Sequence, residues 1–134
     1  MEIKDFSGFP MLSLTLYFNR AIEDKHWLEA IVLAHMYIET QLRMILGFDD
    51  FRKTPRAKKE ETVYSLNRQA YKKKAIDKLL YERIDHFNST RNNAVHNLTL
   101  GIISYEDLEP MANEAAKLIR ELNDLETAIR SRRT

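Results

Sequence analysis

The residues of this chain whose types and spacing could do chemistry lie in the segment 91–96, which reads Arg-Asn-Asn-Ala-Val-His. Arg91 carries a planar guanidinium that can donate two hydrogen bonds to one phosphate group. His96 carries an imidazole, a side chain that exchanges protons near neutral pH. Asn92 and Asn93 precede His96 by about one helical turn, so either amide can orient the imidazole or hold the phosphate. These residue types are suited to binding a phosphate and to exchanging a proton.

A second set of polar side chains recurs at every fourth position of a strongly apolar segment. On a helix this spacing places His35, Glu39 and Arg43 on one face. Such a line is either an internal hydrogen-bonded stripe or the wall of a functional cleft, and Glu39 is the candidate catalytic residue in the second case. His35 and Glu39 are too few ligands to hold a metal, and the chain has no Cys. We therefore predict no metal site and no thiolate nucleophile.

Helical periodicity covers the first half of the chain. Apolar residues recur at helical spacing over about 11–24 and again over about 25–46, before Gly47 stops the helix. The second helix is apolar on most of its circumference, which predicts a central and buried position. A polar connection containing Pro55 follows, and a short helix is expected at about 60–69.

The motif at 91–96 follows a predicted helix that begins at about 74–75. The triplet 88–90, Asn-Ser-Thr, consists of residues that prefer caps and turns to helix interiors. Either the helix kinks there, or it stops and a new helix is capped by Ser89 or Thr90. In the second case the motif occupies the first turns of the new helix, whose free backbone N–H groups would also face a phosphate.

The last helix has the clearest pattern. Residues 104–107, Ser-Tyr-Glu-Asp, form a predicted capping box. With only 3 Gly and 3 Pro, the chain predicts an all-α fold, a single domain spanning residues 1–134 and built as an antiparallel bundle of four to five helices. A coiled-coil-like seam follows the capping box and consists of Leu108, Met111, Ala115, Leu118, Leu122, Leu125 and Ile129.

The net charge of +1 gives the whole molecule little attraction for nucleic acid, but its basic residues are clustered. The Lys and Arg residues between Arg52 and Lys78 predict either an electropositive face or merely a solvated surface. The chain opens without a signal-peptide pattern, and its longest apolar stretch, 30–34, is too short to cross a bilayer. These features predict a cytoplasmic protein with no membrane partner.

The motif and its setting resemble the HEPN superfamily, whose signature is an Arg followed after four to six residues by a His, often with a polar residue such as Asn after the Arg. The segment 27–43 also looks like that family's second helix, which is apolar and often carries an acidic residue facing the active cleft. The resemblance implies a HEPN-like bundle with metal-independent endoribonuclease activity and no cofactor. In that reaction the ribose 2′-hydroxyl attacks its own phosphate and leaves a 2′,3′-cyclic phosphate.

The resemblance also assigns roles and partners. Arg91 would clamp phosphate, His96 would act as acid or base, and Asn92 and Glu39 would support them as further catalytic residues. Two motif helices would line one cleft in a homodimer, and the biological role would lie in defence, toxin–antitoxin systems or stress responses. An antitoxin or a nucleotidyltransferase would then be a partner. The residues expected to bind RNA are Asn93, Arg43, Lys72, Lys73 and Lys74.

One departure bears on that partner. Many HEPN toxins paired with a nucleotidyltransferase continue His-x-Tyr, and the Tyr is the modified residue. Here the sequence is His96-Asn97-Leu98, which argues against silencing by that modification.

Two alternatives remain open at the level of sequence. The domain could bind RNA, nucleotides or a protein partner without cleaving anything. It could be a helical dimerisation scaffold, with the seam of the last helix as its functional part. In either case Arg91 could simply pair with Asp85 or Glu82, and His96 could be a half-buried structural residue.

Overall fold

The computed structural model describes residues 10–47 and 62–133. No strand occurs in those ranges, so the predicted all-α fold is confirmed there. A 3₁₀ turn, Tyr105–Leu108, leads directly into the last helix. The five α-helices are α1 (Pro10–Glu23), α2 (Trp27–Ile45), α3 (Val63–Lys72), α4 (Lys78–Thr99) and α5 (Glu109–Arg133).

The helix ends are set by short-range chemistry. Thr62 and Asp77 cap α3 and α4, since their side chains accept the backbone N–H groups of Ser65 and Leu80. The predicted capping box at Ser104 and Asp107 is present. Left-handed residues follow the C-terminal ends of the first four helices, where the chain must turn back: Lys25, Gly47, Lys74 and Gly101.

The core is built around α2, which packs against α1, α3 and α5. One face of α2 contributes the fully buried Ala30, Ala34, Ile38 and Leu42. The face of α5 that meets it includes Leu118, and it is wider than the predicted seam because Ala112 and Ile119 are buried too. The seam is therefore occupied within the chain.

The prediction that α2 is buried nearly all round is wrong on one face. Val32 and Met36 expose 45% and 49% of their surface. No element among the described residues covers that side of the helix. The exposed face is next to the polar line that begins at His35, which adjoins Met36 in the sequence.

Of the two outcomes predicted for the triplet 88–90, the stop followed by a newly capped helix is wrong, because α4 remains helical from Lys78 to Thr99. Thr90 does not cap a new helix, since its hydroxyl donates back to the carbonyl of His86 at 2.8 Å. Burial of Phe87 and Ala94 on either side of the triplet anchors the helix to the core. Tertiary packing thus overrides a local preference for a turn.

Polar contacts tie the outer helices together. The hydroxyl of Tyr37 on α2 donates to Asn123 Oδ1 on α5 at 2.8 Å, and Gln41 Nε2 donates to the same oxygen. Thr15 on α1 donates to the Tyr37 hydroxyl at 2.9 Å. None of the described helices is long and apolar enough to cross a membrane.

Candidate functional site: the cleft between α2 and α4

The polar line of α2 meets the motif helix at one hydrogen bond. His35 Nε2 lies 3.1 Å from Asn88 Oδ1 on α4. Further along, the Leu28 backbone N–H donates to the hydroxyl of Tyr105, which lies just beyond the end of α4. α2 and α4 therefore meet where His35 lies against Asn88, and we refer to the surface around His35, Asn88 and Arg91 as the α2–α4 cleft.

Arg91 lies on the inward side of α4, although it is charged. It is seven residues after the fully buried Ile84 and seven before Leu98, which packs against the core. Positions seven apart share one face of a helix, so the guanidinium interrupts an apolar stripe. The side chain is half-buried, and burial lowers the pKa of its guanidinium.

The guanidinium of Arg91 has few partners for a group in this position. Its Nη2 donates to Asn92 Oδ1 at 2.7 Å, while its buried Nε has no hydrogen-bond partner. Arg91 forms no ion pair with the described carboxylates, and Glu82, an alternative partner, lies 3.9 Å from Lys78 instead. A half-buried cation without a counterion is costly to the protein and well suited to an incoming anion.

His35 experiences the charge of Arg91. Burial is the largest cause that lowers the pKa of its imidazole, and the positive charge of Arg91 lowers it further. The hydrogen bond with Asn88 and the negative charge of Glu39 act in the opposite direction but do not overcome these effects. The lowered pKa favours the neutral form of His35, in which one ring nitrogen has a lone pair.

Glu39 and Arg43 continue the same line of α2 beyond His35. Arg43 Nη2 lies 3.4 Å from Glu39 Oε1, an ion pair between residues four apart. Arg43 exposes only 7% of its surface, which leaves almost none for direct contact with RNA. Its place in the structure is that of a buried partner which holds the Glu39 carboxylate, and Glu39 itself is half-buried.

His96 is exposed and has no side-chain partner among the described residues. On a continuous helix it lies about 7.5 Å along the axis from Arg91 and about 140° around it. Asn92 and Asn93 are also exposed, and Asn92 supports Arg91 as its hydrogen-bond acceptor. Within one chain, α4 therefore does not bring Arg91 and His96 to the same point.

The expected contribution of a helix N-terminus to the site is wrong. The motif lies in the last turns of α4, where the Leu100 N–H already bonds to the His96 carbonyl. Backbone N–H groups in the middle of a helix are used by the helix itself. An anion at Arg91 would be held by side chains alone.

The predicted lysines lie elsewhere. Lys72, Lys73 and Lys74 are exposed at the turn between α3 and α4, and Arg91 comes about 20 Å later along the axis of α4. A cavity of about 720 Å³ is at that same turn and is lined in part by Lys74. It does not include the cleft residues. The basic residues of 52–59 lie outside the described residues.

Of the polar line predicted on α2, His35 is the residue that contacts α4, and its partner Asn88 was not among the residues predicted for the site. Asn88 was interpreted as a turn residue, although it lies three positions, one helical turn, before Arg91. No group of three or more His, Asp or Glu residues within 10–47 and 62–133 is arranged to hold a metal ion.

Comparison of the chain with protein-family models, with curated proteins and with solved structures found no match. The arrangement of Arg91, His35 and His96 is therefore the basis for assigning a function.

Proposed function

We propose that this protein is a HEPN-like, metal-independent endoribonuclease whose phosphate-binding residue is Arg91. The observation that supports this most is the half-buried guanidinium on an apolar stripe, with no carboxylate partner among the described residues and with an unpartnered Nε. A phosphodiester supplies the anion that this group lacks. RNA is favoured as the substrate because its 2′-hydroxyl provides an internal nucleophile, so the protein needs only to bind the phosphate and move protons.

Two copies of the chain complete the site in this proposal. Arg91 lies on the inward side of α4 and His96 is exposed about 140° around the same helix, so in this proposal the two act on one phosphate only if His96 comes from a second copy. Val32 and Met36 form an exposed apolar face beside the cleft, which a homodimer would bury. A cytoplasmic role in defence, as a toxin or in stress-linked RNA turnover, with or without an antitoxin or nucleotidyltransferase partner, belongs to the same proposal.

The primary test is cleavage of a mixed RNA pool in the presence of a chelator. We expect products with 2′,3′-cyclic phosphate ends, and a rate reduced about 10²–10⁴-fold in His96→Ala and Arg91→Ala. His86→Ala and Arg120→Ala are the matched controls, because both residues are exposed and lie outside the motif. Undiminished cleavage by either motif variant would show that the assignment of that residue is wrong.

Complementation tests the shared cleft. Arg91→Ala and His96→Ala chains, co-expressed with different tags, should recover about one quarter of the parent activity, because half of the dimers are mixed and each has one complete set of residues out of two. Met36→Glu should dissociate the dimer and abolish cleavage while leaving the helical circular dichroism unchanged. A fully active monomer would refute the shared cleft.

The second candidate is an RNA- or nucleotide-binding module without catalysis. The exposed position of His96 favours this binding module, because the imidazole has no side-chain partner among the described residues. This candidate predicts salt-dependent RNA binding that is lost in Arg91→Ala, with the RNA recovered intact. A plain dimerisation scaffold predicts that neither Arg91→Ala nor His96→Ala changes RNA binding.

A further inference from the structure

We propose that His35 of α2 and Arg91 of α4 form a phosphate-binding and proton-transfer pair within one protomer, with His35 as the group that accepts the 2′-hydroxyl proton. This inference rests on the proposed ribonuclease function and extends it. It assigns the base of the reaction to a residue outside the Arg91–His96 motif. It leaves His96 to act on the leaving group.

The positions of His35, Asn88 and Arg91 support the pairing. His35 and Arg91 lie on facing helices, and Asn88, one turn before Arg91, fixes the imidazole through the 3.1 Å contact with Nε2. When the Asn88 oxygen accepts the Nε2 proton, the lone pair of the neutral ring is on Nδ1. His35 is half-buried, so a substrate can reach it while its orientation remains held.

The charges around His35 support its role as a base. Among the described residues, Arg91 from α4 and Glu39 from α2 are the charged groups that act on it. Burial and the charge of Arg91 lower the pKa of His35 and so favour the neutral imidazole, which is the state a base requires. A phosphate bound to Arg91 offsets that positive charge, so the protonated imidazole becomes more stable as the proton arrives.

The reaction balances with these groups. The ribose 2′-hydroxyl gives its proton to the unprotonated nitrogen of His35, and its oxygen forms a bond to phosphorus. The bond between phosphorus and the 5′-oxygen of the next nucleotide breaks, and that oxygen takes a proton from His96 or from water. The products are a 2′,3′-cyclic phosphate and a free 5′-hydroxyl, and His35 returns its proton to solvent.

The kinetic test uses two substrates, a uridylyl dinucleotide and uridine 3′-(4-nitrophenyl phosphate). The second has a leaving group that needs no proton. We expect His35→Ala and His35→Gln to lose about 10²–10⁴-fold in rate with both substrates. Gln can retain a hydrogen bond to Asn88 but cannot accept the proton. A rate loss in His35→Gln would therefore be due to lost proton transfer and not to lost positioning. His96→Ala should recover most of its rate with the nitrophenyl substrate, and His86→Ala should match the parent throughout.

A binding test separates this inference from the ribonuclease proposal. The chain has 4 His, whose ring signals can be followed by NMR as the pH changes. Inorganic phosphate should raise the pKa of His35 in the parent but not in Arg91→Gln. His26, about 13 Å before His35 along α2, provides an internal control for local effects.

The outcomes are distinct. If the parent cleaves and His35→Gln cleaves equally well, the pair is overturned and the ribonuclease proposal stands. In a second outcome, the parent cleaves neither substrate, but phosphate still raises the pKa of His35 in the parent and not in Arg91→Gln. Catalysis and the proton-transfer role are then both refuted, and His35 and Arg91 remain as a phosphate-binding pair. If phosphate leaves the His35 titration unchanged, the pair is overturned whatever the RNA does.

Discussion

Replacing Arg91 with methionine should make the protein more stable. Arg91 lies on the apolar stripe of α4 between Ile84 and Leu98, and its guanidinium has a buried, unpartnered Nε. Methionine is unbranched and of similar length, so it can follow the same path without a polar group. A residue retained for binding at the expense of stability should show this trade-off, because functional sites commonly contain locally unfavourable groups.

The magnitude follows from two opposing changes. A buried donor left without a partner costs about 1–3 kcal/mol, and removing it regains that amount. The lost hydrogen bond from Arg91 Nη2 to Asn92 contributes about 0.5–1.5 kcal/mol, and Asn92 is exposed, so its oxygen can turn to water. The net expectation is a gain of about 1 kcal/mol in the free energy of unfolding, or about 3–5 °C in Tm for a chain of this size.

Urea denaturation followed by circular dichroism measures the effect as a higher midpoint with an unchanged slope. Arg83→Met is the matched control on the same helix. Arg83 pairs with Glu114 at 3.0 Å and with Glu121, so its loss should destabilise by about 0.5–1 kcal/mol, after allowing for the exposure of both carboxylates. If Arg91→Met is destabilised by 1 kcal/mol or more (about the value of one hydrogen bond), Arg91 is a structural residue and the argument for an anion site fails.

Three further predictions follow. The free energy of unfolding should fall as the pH drops below 6.5, because the unfolded chain binds a proton at His35 at a higher pH than the folded protein does. This fall should end below the lowered pKa of His35 in the folded protein, and it should be absent in His35→Gln. Asn123→Ala should lower the free energy of unfolding by about 2–3 kcal/mol in urea denaturation, because the buried donors of Tyr37 and Gln41 lose their acceptor. A loss of less than half that amount would mean that water replaces the Asn123 oxygen. Asp77→Ala should cost about 1 kcal/mol by removing the cap of α4, whereas Asp77→Asn should restore most of it.

The sequence alone determined the class of fold. Apolar residues at helical spacing, few Gly and Pro, and the capping box at Ser104 are local features, and each acts within one or two turns of chain. The helices α1, α2 and α3 therefore begin and end within a few residues of their predicted bounds. The sequence also singled out Arg91 and the line of His35, Glu39 and Arg43, because residue type and spacing are sufficient for that.

Only the tertiary structure decided what these side chains face. The triplet before the motif favours a break by its own propensities, but burial of Phe87 and Ala94 on the same helix outweighs that preference. On the continuous helix Arg91 faces inward and His96 faces outward. The five-residue spacing fixes this angle only if the helix is unbroken, which the sequence did not show.

The meeting of His35 with Asn88 was equally invisible in the sequence. The two residues are 53 positions apart, and the contact depends on how α2 and α4 run past each other. The same packing left Arg91 without a carboxylate among the described residues, although Glu82 and Asp85 lie nearby in the sequence. Residue types indicated which groups could bind phosphate or move protons, and the packing of α4 against the core decided which of them share a cleft.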